Sequence, residues 1–122
     1  MSYWLLAEGD VDDLRVNSWR WGATVPLIQK SGVLEPGVEI FGQRVVVVRQ
    51  ESCQKLADWL EENVLADLPQ GARIKLDGEV TSEPDDHVFH RENLDQNYSV
   101  DREWLLEFVS FLRVSGGFNT MG

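Results

Sequence analysis

A chain of 122 residues with 43% apolar and 26% charged side chains suits one domain with a real core, and it is too apolar to be disordered throughout. Its 21 Asp+Glu against 11 Lys+Arg give a formal net charge of −10, which argues against nucleic acid and anionic membranes as partners and favours a basic one. The lone cysteine, Cys53, excludes an internal disulfide, and the longest later apolar run, Val45 to Val48, is far below the ~18 residues that span a bilayer.

Tyr3 to Ala7 is aromatic and apolar and reads as a short strand buried on both faces. Glu8-Gly9-Asp10 is a turn. Asn17-Ser18 offers a helix N-cap ahead of Trp19-Arg20-Trp21, and Trp21, Val25 and Ile28 recur at helical spacing. Pro26 leaves two versions open. Either the helix runs from about Ser18 with a kink, or it starts at Thr24 with Pro26 in its first turn. Ser31-Gly32 ends it, and Glu35-Pro36-Gly37 is a turn.

The four valines from Val45 to Val48 are the strongest strand signal, because β-branched side chains suit a pleated surface. Ser52 then caps a helix from about Cys53 to Ala66, with Leu56, Leu60 and Val64 on one stripe and Asp58, Glu61 and Glu62 outward. Leu68-Pro69-Gln70-Gly71 stops it. Ala72 to Leu76 alternates apolar and basic, as a half-exposed strand does. Glu79 to Tyr98 is polar and acidic and reads as a long surface loop, with an extended piece at His87 to His90. Ser99 or Asp101 caps a last helix to about Val114, whose wide apolar face carries Trp104, Leu105, Phe108, Val109, Phe111 and Leu112. Ser115-Gly116-Gly117 closes it, and Phe118 to Met121 forms a final strand. The expectation is a single α+β domain, residues 1–122, with a small sheet covered by about three helices.

The charge is uneven. Asp77 to Glu103 holds nine acids against two bases, a net of −7. His87 and His90, near Asp85, Asp86 and Glu92, are metal-ligand residue types, but in an extended segment they point to opposite faces. Adjacent acids such as Asp12-Asp13, Glu61-Glu62 and Asp85-Asp86 read as solvated surface charge, since sequence neighbours rarely face one pocket. Cys53 lies on the apolar stripe of its helix and reads as a buried structural thiol. Gly116-Gly117 follows a helix and so is no phosphate cradle. Trp19-Arg20-Trp21 is the segment best suited to recognition, because Trp and Arg concentrate at interface hot spots. Trp4, Trp59 and Trp104 read as core.

The block Trp104-Leu105-Leu106-Glu107-Phe108-Val109-Ser110-Phe111-Leu112-Arg113, with Ser115-Gly116-Gly117-Phe118 after it, resembles the tail of small, acidic, uncharacterised bacterial proteins. The segments Cys53 to Leu60 and Asn17 to Trp21 fit the same layout. In size and charge those proteins are similar to the immunity proteins of bacterial toxin systems. The resemblance implies a bacterial cytoplasmic protein of unassigned activity, and it carries over no catalytic residue.

Three readings follow. The first is a non-enzymatic protein-binding module, an immunity-like inhibitor of a basic toxin, with Trp19, Arg20, Asp85, Asp86, Glu92 and Asp95 as contact residues. The second is a homo-oligomeric structural or regulatory domain, pairing through the last helix or through Val45 to Val48 at a sheet edge. The third is a small metal-dependent enzyme built on His87 and His90. The first is preferred, with no cofactor, no metal, no nucleic acid and no membrane. An N-terminus with no basic region and an apolar run ending at Glu8 predicts a cytoplasmic location.

Overall fold

The computed structural model describes residues 2–32, 38–41, 45–75, 78–82, 91 and 98–121. Its eight described strands and three α-helices run β1 (Ser2–Ala7), β2 (Leu14–Asn17), α1 (Ser18–Lys30), β3 (Val38–Phe41), β4 (Val45–Arg49), α2 (Gln50–Asn63), a 3-10 turn (Leu65–Asp67), β5 (Arg73–Lys75), β6 (Val80–Thr81), β7 (Ser99–Asp101), α3 (Arg102–Val114) and β8 (Gly117–Met121). Five strands form one antiparallel sheet in the order β2-β1-β8-β4-β3; the other three form a small antiparallel sheet, β6-β5-β7. The α+β expectation holds.

The described helices cover the large sheet on one face only. Its registers set Leu5 opposite both Leu14 and Thr120, and Phe118 opposite both Ala7 and Val48. Leu5, Val16, Val48 and Phe118 are buried on this face, beneath the helices. Phe118 is its centre, with ring centroids 6.4 Å from Trp21 of α1 and 6.0 and 5.7 Å from Phe108 and Phe111 of α3. Edge-on aromatic contacts of this kind add to the area they bury. The opposite face carries Trp4 beside Arg15 and Met121, and Trp4 is 40% exposed. The strand reading of Tyr3 to Ala7 is therefore right and its burial on both faces wrong. Of the alternate side chains of β1, Trp4 meets solvent and Leu6 is half-buried, because no described helix lies on that side.

α1 begins at Ser18, so Pro26 sits inside it and forfeits a hydrogen bond to the Gly22 carbonyl. Asn17 makes the cap, its Oδ1 accepting from the Arg20 amide at 2.7 Å. The helix survives its proline because Trp21, Ala23, Val25, Leu27 and Ile28 are all buried. α2 starts at Gln50, directly out of β4, with Arg49 at its cap position and no side-chain cap. Ser52 is buried in the first turn and caps nothing, contrary to the sequence reading. The helix also ends earlier, at Asn63, and a 3-10 turn completes the path. Arg102 holds that turn, donating from Nη1 to the Leu65 and Leu68 carbonyls at 2.7 and 2.6 Å.

Asp101 caps α3, its Oδ1 accepting from the Trp104 amide at 2.8 Å. Arg113 in the last turn of α3 reaches Asp58 at 3.0 Å and Glu61 at 2.9 Å on α2 and pins the two helices side by side. After Ser115 the chain reverses through Gly116 and Gly117 at positive φ (71° and 108°). The Ser115 and Gly117 carbonyls accept the Gly9 and Glu8 amides at 2.7 and 2.9 Å. This clip ties the end of β1 to the α3–β8 turn.

Two expectations about association change here. β4 lies between β8 and β3, so Val45 to Val48 is not a sheet edge. The apolar face of α3 is consumed in the core. Val80–Thr81, within the expected surface loop, pairs with β5 as a short strand.

Candidate functional site

The best-equipped surface begins at the α1 N-terminus. The Asn17 cap fixes the first turn and so sets Trp19 and Arg20 beside β7. Trp19 is 40% exposed, and its ring meets Tyr98 edge-on with centroids 5.1 Å apart. Arg20 reaches Asp101 at 3.8 Å, with its guanidinium carbon 5.9 Å from the centroid of the Trp104 ring. Asp101 thus faces two ways, capping α3 with one oxygen and pairing with Arg20 through the other. Beneath them Trp104 Nε1 donates to Thr24 Oγ1 at 2.9 Å, and Thr24 Oγ1 donates to the Arg20 carbonyl at 2.7 Å. The turn that presents Trp19 is tied into the core by that chain of bonds.

Of the six residues expected to make contact, Trp19 and Arg20 stand together at this surface. Tyr98 and Asp101, which the sequence reading did not select, join them and belong to the acidic segment running from Asp77 to Glu103. Asp85, Asp86, Glu92 and Asp95 lie outside the described residues, as do His87 and His90. Adjacent acids behave as surface groups wherever both are described. Asp13 accepts from the Ala7 amide at 2.8 Å, Glu61 pairs with Arg113, and Asp12 and Glu62 are exposed.

Cys53 is a core residue. Its Sγ lies 3.7 Å from Ser115 Oγ and 4.0 Å from the Val48 carbonyl, and it is 1% exposed. Burial raises its pKa above the ordinary thiol value, Glu8 adds to the rise, and the contacts with Ser115 and Gly117 only partly oppose it. A neutral, enclosed thiol is a poor nucleophile.

A second feature went unrecognised in the sequence. A groove of about 410 Å3 opens between α1, the end of α2 and the small sheet. α1 contributes Ala23, Pro26, Leu27 and Lys30; α2 and the turn after it contribute Trp59, Asn63, Val64 and Asp67. Ile74, Lys75, Gly78 and Val80 close the third side. Trp59, expected in the core, is half-buried and forms part of this wall. Its place beside the α2 apolar stripe, instead of on it, was the available signal.

No described helix is long and apolar enough to cross a membrane. No protein-family model, curated protein or solved structure matches this chain significantly.

Proposed function

We propose that this domain is a non-catalytic protein-binding module that captures a basic partner, in the manner of the immunity proteins it resembles. One observation carries the reading. The exposed Trp19 packs against Tyr98, at the end of the segment that holds most of the excess negative charge. An aromatic anchor joined to the end of an acidic segment suits a basic protein, since the aromatic supplies burial and the charge supplies orientation and on-rate. Arg20 and Asp101 are paired with one another and act mainly to hold the anchor in place. In a bacterial host the partner is a cationic toxin or nuclease.

The test is affinity capture from native bacterial lysate at low salt, followed by reconstitution with whatever basic protein elutes as salt rises. A one-to-one complex should weaken with salt, and Trp19→Ala should weaken it by about tenfold or more, as loss of a hot spot does. Asp85→Asn, Asp86→Asn, Glu92→Gln and Asp95→Asn together should slow association. Affinity that ignores both salt and Trp19 would reject this reading.

The sheet face that no described helix covers supports a second reading. Trp4 and Met121, 40% and 54% exposed, stand side by side on β1 and β8 and offer apolar area to a second copy. Sedimentation of wild type against Trp4→Glu would detect it, and a monomer in both cases removes it.

A further inference from the structure

We propose that the groove between α1, α2 and the small sheet binds a small amphipathic carboxylate, an acid with a linear or aromatic apolar body. This goes beyond the protein-binding reading and does not depend on it. At about 410 Å3 the groove falls within the roughly 300–1,000 Å3 of small-molecule sites. Leu27, Val64 and Ile74 form its apolar lining and are nearly buried, while the Trp59 ring gives it a broad wall. A body of hydrocarbon or aromatic carbon matches that lining, and burying it supplies the driving force.

The charge at the groove selects the head group. The chain has three lysines, and two of them, Lys30 on α1 and Lys75 on β5, line this groove. Among the described residues neither side-chain ammonium has an ion-pair or hydrogen-bond partner. Asp67 is the one described acid in the lining, so the described lining carries two positive charges against one negative on a protein of net charge −10. Two lysines reaching from separate walls complement an oxyanion, while an alcohol head gains little from them and a quaternary ammonium is repelled.

The experiment is a two-dimensional 15N–1H NMR titration of the full chain with decanoate, decan-1-ol and decyltrimethylammonium, each kept below its micelle concentration. Decanoate should saturate a single site and shift the Trp59 indole N–H and the Ile74 and Val80 amides. Decanol should bind about tenfold more weakly, and the ammonium compound more weakly again. Lys30→Gln and Lys75→Gln should each weaken decanoate about three- to fivefold and leave decanol unchanged. Lys30 is exposed and Lys75 half-buried, and neither lies in the core, so wild-type spectra are expected for both variants, and the three-head-group comparison on the unaltered chain stands without them. No saturable decanoate binding, equal affinity for all three compounds, or shifts centred on Trp4 and Met121 would each overturn the proposal.

Discussion

Thr24→Val tests the bond that anchors the Trp19 turn to the core. Thr24 is fully buried, and its hydroxyl accepts from Trp104 Nε1 at 2.9 Å while donating to the Arg20 carbonyl at 2.7 Å. No described buried side-chain nitrogen or oxygen lacks a partner. Valine keeps the shape and removes the acceptor, which strands the indole N–H at a cost of about 1–3 kcal/mol. The added methyl returns up to about 0.8 kcal/mol of burial. The net loss should be about 1–2 kcal/mol, against a total stability of roughly 5–15 kcal/mol for a domain of this kind. Urea unfolding followed by far-ultraviolet circular dichroism should show a lower midpoint at unchanged slope, and Tm should fall by about 3–8 °C. Trp104→Phe removes the donor, so the same change in that background should cost about 1 kcal/mol less. A cost under about 0.5 kcal/mol, or an equal cost in both backgrounds, would refute the argument.

Gly117→Ala should destabilise by more than about 2 kcal/mol, because φ there is 108° and a Cβ would stand 3.1 Å from the Val48 carbonyl and 3.2 Å from the Gln50 amide nitrogen; urea unfolding measures it. Arg113→Ala loosens α2 from α3, and since the network is partly exposed the cost should stay near 0.5–1 kcal/mol and shrink in high salt. Cys53 should react with a disulfide reagent far more slowly in the native protein than in urea. Its raised folded pKa means that the folded chain holds the thiol proton where the unfolded chain has released it. That contribution is complete below the ordinary thiol pKa of roughly 8.5 and is lost as pH climbs through the folded value, so Cys53→Ala should flatten the alkaline decline in stability.

Much of the fold was legible because several signals are local. The valines of β4, the stripe of α2, the Asp101 cap and the apolar face of α3 each lie within one element and one period. What failed depends on tertiary context. Trp4 was read as core because composition does not reveal which face of a sheet the helices will cover. Ser52 looked like a cap, yet β4 feeds straight into α2 and the helix starts before it. β6 and β7 have two and three residues, too few for an alternation to register. Trp19 and Arg20 were found from residue type alone, whereas Tyr98 and Asp101 joined them through packing of α1 on β7, which no spacing encodes. The groove was invisible for the same reason, since its walls come from three distant stretches and Lys30 and Lys75 meet only in three dimensions.

The two proposed surfaces should respond to salt in different ways. A basic protein approaching the Trp19 end is drawn by a net charge of −10 over long range, so its association weakens as the Debye length shrinks from about 30 Å at 0.01 M to about 10 Å at 0.1 M. A carboxylate entering the groove meets that same charge as repulsion, and beyond the burial of its apolar body it is attracted by the nearby Lys30 and Lys75. Moderate salt screens the distant acids before it screens the two lysines at contact distance, so decanoate binding should hold or tighten over the range in which the basic partner is released. Parallel loss of both with salt would mean that the lysine attraction is itself screened over this range and refute the ordering argued here, and opposite slopes would mark two sites of opposite electrostatic character on one small domain.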